Sequence, residues 1–179
     1  MTELDFIFNR RSIRKFTEQP ITDETVELLL KAAMAAPSAI NSKPWSFVVV
    51  RDPVKLQAIR AELLFGKMNA PCAIAVCGDL RGLKTQVIER FWQQDCSAAT
   101  ENLLLAATAL GVGSVWCGVY PSQTLVKRIQ AGVGLPEKVL PLNIVYVGYP
   151  GEQKDPRTQY NPQRVFRESF GQPWLGEKP

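Results

Sequence analysis

Leu103-Leu104-Leu105-Ala106-Ala107-Thr108-Ala109-Leu110-Gly111-Val112-Gly113-Ser114-Val115-Trp116-Cys117-Gly118-Val119-Tyr120-Pro121 is a run of nineteen residues without a charge. Its length approaches that of a membrane-spanning helix. Its punctuation argues for something else. Gly111 reads as a helix stop and Gly113 as the entry to a strand, with Thr108, Ser114 and Gly118 breaking the apolar surface. The run therefore reads as the end of a buried helix, from about Gln93 to Leu110, followed by a strand from Ser114 to Val119. Beyond Ala98 this helix is apolar over most of its circumference, so it needs a core or a subunit interface on several sides.

Upstream, Cys72 to Cys77 reads as a short central strand, and Trp45 to Val50 as a buried one, rich in aromatic and β-branched residues. Asp52-Pro53 is a cap followed by proline at the first helical position, opening a helix that carries Val54, Leu56 and Ile59. Thr22 caps an earlier helix whose apolar residues Val26, Leu29, Leu30, Ala33 and Met34 share one face, with Pro37 ending it. Thr2-x-x-Asp5 resembles a capping box for a short helix ending near Asn9. Downstream, Ser122 caps a helix carrying Leu125, Val126 and Ile129, and Leu140 to Gly148 is a strand. From Pro150 the chain is polar and proline-rich, and its aromatics Tyr160, Phe166, Phe170 and Trp174 need a surface to pack on.

The 179 residues suit one domain with a real core, at 46% hydrophobic and 21% charged residues. A net charge of +4, spread along the chain, is too diffuse for a nucleic-acid partner. The chain has no histidine, which excludes Ser-His-Asp and Cys-His catalysis and His-ligated zinc. An enzyme built this way takes its hard chemistry from an organic cofactor. The four cysteines, Cys72, Cys77, Cys96 and Cys117, form no C-x-x-C pair and read as reduced structural residues. No secretory apolar run follows the N-terminus, so a reducing cytoplasm is the expected setting.

Three stretches carry candidate chemistry. Arg10-Arg11-Ser12-Ile13-Arg14 places three guanidinium forks and a hydroxyl close together, the chemistry of a phosphate clamp, though a solvated basic patch shares that composition. The loop Ala36-Pro37-Ser38-Ala39-Ile40-Asn41-Ser42-Lys43-Pro44-Trp45 is stiffened by two prolines and can lay backbone amides along a flat polar ligand, or serve only as a helix-to-strand turn. Gly148-Tyr149-Pro150-Gly151-Glu152-Gln153-Lys154-Asp155-Pro156-Arg157 brings two cations into a constrained loop. The glycines of Gly111 to Gly118 do not form a dinucleotide fingerprint, and no phosphate-binding P-loop is present.

In order, these stretches resemble the nitroreductase family of FMN-dependent flavoproteins. The resemblance rests on R-R-S-x-R-x-F (Arg10 to Phe16), P-S-x-x-N-x-x-P-W (Pro37 to Trp45), Asp95 to Ala107 running into L-G-V-G, and G-Y-P-G-E (Gly148 to Glu152), and it extends to about Arg164. It implies an α+β fold with a central, mostly antiparallel sheet flanked by helices, and one domain over residues 1–179 in an intertwined homodimer. The arm from about residue 150 would pack on the partner. It implies that Arg10, Arg11, Ser12 and Arg14 grip tightly bound FMN, with Arg11 standing where many members carry His. Pro37, Ser38, Ala39 and Asn41 would lie against the flavin, usually that of the partner subunit. Cys117 and Gly118 would present a backbone N–H to flavin N5, and Arg157, with Lys154 second, would supply a late phosphate cation. The implied activity is hydride transfer from NAD(P)H to FMN and on to a nitroaromatic, quinone or similar acceptor by a ping-pong route. A dedicated biosynthetic or dehalogenating member is the alternative, and so is a flavin-binding regulatory module. The short connector between Ala61 and Cys72 predicts a small lid.

Overall fold

The computed structural model describes residues 3–81 and 86–174. Its centre is a four-stranded, fully antiparallel sheet in the order β1-β2-β4-β3, built from β1 (Trp45–Val50), β2 (Cys72–Asp79), β3 (Gly113–Gly118) and β4 (Val139–Gly148). Among the described residues five α-helices flank it: α1 (Asp5–Asn9), α2 (Asp23–Met34), α3 (Pro53–Glu62), α4 (Gln86–Ala109) and α5 (Gln123–Val133). The α+β class and the antiparallel sheet agree with the expectation.

Period-two alternation sorts the strand residues between two cores. From β2, Ala73, Ala75 and Cys77 face α3 and α5, while Cys72, Ile74 and Val76 face α2 and α4. From β4, Ile144 and Tyr146 join the first core, and Val145 and Val147 the second. Both inner strands are covered on both faces, which is why they read as continuous apolar runs rather than as alternating ones. A Cβ on Gly78 would fall 2.3 Å from Cε3 of Trp92, so glycine there lets α4 lie directly on β2.

Several local expectations hold. Thr22, Asp52 and Ser122 each accept an N–H from the first turn of α2, α3 and α5. Others are corrected. α4 begins at Gln86, a turn or two before Gln93, because the early part is amphipathic and keeps Glu89 and Arg90 toward solvent. β1 is an edge strand in which only Val50 is fully buried, so its β-branched composition overstated its burial. Val54 and Met34 are exposed although both fit the apolar spacing of their helices. Thr2 lies outside the described residues, and Leu4 is the N-cap of α1. Among the described residues no helix is long and apolar enough to cross a membrane. The tail aromatics Tyr160, Phe170 and Trp174 remain exposed on the chain's own surface.

Candidate active site

Arg10 follows the last residue of α1, and the next residues run beside the outer edge of β3. There the Ile13 N–H donates to Ser114 O at 3.0 Å, and Ser12 bridges Ser114 in parallel. This segment is locked from the other end of the chain by the Gly148–Glu152 motif. Gly148 has no Cβ because one would fall 2.7 Å from Pro71 Cδ and 2.8 Å from Phe16 Cδ1. The Gly151 N–H donates to Lys15 O at 2.9 Å. Oε1 of Glu152 accepts the Arg14 N–H at 2.6 Å and the Lys15 N–H at 3.3 Å, and pairs with Lys154 Nζ at 3.1 Å. The Arg14 amide, followed by Lys154, holds the Glu152 carboxyl below its ordinary range. Asn69 clasps Phe16 from the far side, accepting its N–H at 3.1 Å and donating to its carbonyl at 2.7 Å.

The result is a pocket of about 270 Å³ lined by Arg10, Arg11, Arg14, Lys154 and Arg157, with Ser12, Ile7 and Gln159. Five cations face one space, and among the described residues no acid lines it. Some of that charge is already engaged: Arg11 donates to Asp155 O, Lys154 Nζ to Ser12 O at 2.6 Å, and Arg10 lies 3.7 Å from Glu101 of α4. The Arg157 backbone N–H is tied to Phe8 O at 2.9 Å, and the structure shows no protein acceptor for its guanidinium among the described residues. Such a site is made for a multiply charged anion whose oxygens can take several charge-assisted bonds at once.

Arg14 also lines a second pocket of about 300 Å³, together with Cys117, Gly118 and Trp116 of β3 and the connector residues Leu63 to Gly66. Strand geometry decides which amide serves it. A residue's N–H and C=O point to the same side of a strand, and the side alternates. Ser114 O faces outward to Ile13, so Trp116 and Gly118 face outward too, while Cys117 and Val119 face β4. The Val119 N–H bonding to Leu142 O agrees. The outward amide is therefore that of Gly118. A Cβ on Gly118 would meet nothing within 4 Å, so the glycine keeps open space beside that amide. Burial pushes the Cys117 thiol up to about 11 despite the nearby Arg14, so it stays protonated at neutral pH and offers no nucleophile.

The loop after α2 is built differently. Residues Ala39–Asn41 form one 3-10 turn, and Ile40, Asn41 and Lys43 all have positive φ, at 50°, 56° and 48°. Non-glycine residues pay roughly 1–3 kcal/mol each for such conformations, which persist only where the surroundings enforce them. Here the Lys43 N–H donates to Ser38 Oγ at 2.9 Å and the Ala39 N–H to Asp95 Oδ1 at 2.9 Å. Within one chain Pro37, Ser38, Ala39 and Asn41 line neither pocket, so the two Arg14-lined groups converge and this loop stands apart.

Glu152, Asp95 and Glu101 stand in the sequence only as motif letters, and Asn69 and the exposed pair Leu64-Phe65 carry no local signal there. Their roles depend on contacts across 53 to 138 positions for Asn69, Asp95 and Glu152, which local pattern does not encode.

The profile of the Nitroreductase family matches residues 7–68 and 55–149. An Archaeoglobus fulgidus protein, provisionally named NADH dehydrogenase/NAD(P)H nitroreductase, is 46% identical over 172 residues, covering 93% of this chain and 98% of its own. A Parabacteroides distasonis crystal structure under the same provisional name superposes with a TM-score of 0.86 at 37% identity, covering 93% and 98% of the two chains. A Desulfovibrio desulfuricans structure, provisionally named a nitroreductase and solved in complex with FMN, gives 0.78 at 30% identity, covering 93% and 96%. With the fold, the ordered motifs and these likenesses in agreement, the chain belongs to the nitroreductase family.

Proposed function

We propose that the protein is an FMN-dependent NAD(P)H oxidoreductase that passes electrons to nitroaromatics, quinones or similar acceptors. The observation that carries this reading is the pocket of five cations next to the outward Gly118 amide, with Arg14 lining both spaces. The residues fit the cofactor: Arg10, Arg11, Arg14 and Arg157 take the phosphate, with Ser12 beside them. Lys154, engaged by Ser12 O and Glu152, fixes the loop more than it binds, so Arg157 is the late cation. FMN, when bound, supplies hydride acceptance and donation.

The chain's own groups orient and polarise. The Gly118 N–H is a fixed donor on the strand edge, and Arg14 sets positive charge on the same side, an arrangement that favours an anionic reduced ring. The connector Leu63–Pro71 forms no long cover, and Leu64 and Phe65 are 82% and 81% exposed beside the second pocket, so one open face can receive nucleotide and acceptor in turn. The Pro37–Asn41 loop meets the flavin of a partner copy in a homodimer, and the exposed tail aromatics pack across that interface.

Purified protein reconstituted with FMN is expected to retain the flavin through desalting. Stopped-flow mixing with NADH or NADPH should bleach it, and a quinone should restore it with ping-pong kinetics. Protein that neither binds FMN nor is reduced by either nucleotide overturns the reading. Retained flavin that no nucleotide bleaches points instead to a binding module without turnover.

A further inference from the structure

Asp95 is the one acidic residue buried among the described residues, only 5% exposed, on the face of α4 that meets α2 and the loop after it. Oδ1 accepts the Ala39 N–H at 2.9 Å, and Oδ2 is buried with no hydrogen-bond partner. Seven residues on, two helical turns along the same face, Asn102 donates to Ala32 O of α2 at 3.1 Å. α4 thus grips the end of α2 and, separately, the loop that follows it.

A buried carboxylate bonded to one amide is poorly compensated. An apolar residue at position 95 would suit the helix and its core better. What the carboxylate does achieve is to hold the amide that begins the Ala39–Asn41 turn. From that amide the chain enters the run of left-handed residues Ile40, Asn41 and Lys43. Loop residues held this far from their preferred conformations relax once an anchor is lost.

We propose that Asp95 is a positioning residue for the flavin site: it fixes the Pro37–Asn41 loop in its flavin-facing geometry through the Ala39 amide, without itself touching the cofactor. This rests on the FMN reading above. The residue needed at position 95 is an acceptor oxygen, not a negative charge.

The test compares Asp95→Ala and Asp95→Asn with wild type, and adds Ala39→Pro, which removes the donor from the other side. Proline suits that position because Ser38 before it is already extended, at φ −143° and ψ 153°. Three readouts are taken: the FMN dissociation constant, the flavin reduction potential, and amide hydrogen exchange of the loop in the cofactor-free protein. Asp95→Ala and Ala39→Pro are expected to weaken FMN at least tenfold and to shift the potential, and the double variant should be no worse than either single one. Loop exchange should speed up in Asp95→Ala, while Asp95→Asn stays within about threefold of wild type in affinity with unchanged exchange. Wild-type affinity and exchange in Asp95→Ala overturn the proposal, and so does an Asp95→Asn that behaves like Asp95→Ala. If Asp95→Ala does not fold, Ala39→Pro and Asp95→Asn decide by the same criteria. Wild-type protein that does not bind FMN counts against the functional reading instead.

Discussion

Arg14 lines both pockets, and its backbone is fixed by Glu152, so the charge that would meet the cofactor and the acid that positions it are separate groups. Each charge-assisted bond to a partly desolvated phosphate contributes roughly 1.5–3 kcal/mol. Arg10→Ala or Arg14→Ala is therefore expected to raise the FMN dissociation constant about ten- to a hundredfold, at about 1.4 kcal/mol per factor of ten. Lys127→Ala, an exposed charge on α5, should leave it unchanged, and fluorescence titration separates the three. Glu152 brings in pH. Its folded pKa lies below the ordinary 4.5, chiefly through the Arg14 amide. Its contribution is therefore fully present above that value and is lost as pH falls below it through the folded value. Flavin retention is expected to be flat from neutral pH to the ordinary glutamate range and to fall only beneath it, modestly because the carboxylate is still partly exposed to solvent. In Glu152→Gln that acid step should disappear from a retention-against-pH curve. The concentration of guanidinium charge from Arg10 to Arg14 was legible from residue chemistry alone, which left a phosphate clamp and a solvated basic patch both open. Glu152 was not, because an acid in a cationic loop looks like charge balance until its two backbone partners are seen.

Among the elements, the sheet and helices follow from period and caps, and the discrepancies have physical causes. β1 carries the composition of an inner strand, but it lies at the sheet edge, and its position depends on strand order rather than on its own residues. The start of α4 was hidden because its first turns keep a polar face, and the apolar signal strengthens only farther along. Motifs more than 130 residues apart fold as one unit: the segment from Arg10 to Phe16 and the loop from Gly148 to Glu152 meet through Phe16, Gly148 and Gly151. Gly148→Ala would force a Cβ against Pro71 and Phe16, and overpacking of this kind costs typically 1–3 kcal/mol. The expected outcome is a lower thermal midpoint together with weaker FMN binding, read by calorimetry and flavin fluorescence. Normal stability with normal retention would show that the two segments are not coupled.

For the whole molecule, the three-layer arrangement sets the sheet between two helical layers and leaves the cation pocket at one edge, where residues 7–14 meet residues 154–159. Sequence order alone could list the pieces of the site, but not which pieces one chain assembles. The arginine cluster and Gly118 come together, while the Pro37–Asn41 loop is held by α4 elsewhere. The crowding of five cations has a consequence for the empty protein. Without an anion, like charges repel one another across a small space, offset in part by Glu101 beside Arg10 and Glu152 beside Lys154. Added electrolyte screens that repulsion and also weakens attraction for a charged ligand. Ionic strength should therefore act with opposite signs on the two forms: the cofactor-free protein melts at a higher temperature as salt rises, while its affinity for FMN declines. Inorganic phosphate, able to occupy the same pocket, should stabilise the empty form more than chloride at equal ionic strength, and so act as a weak competitor during cofactor loading.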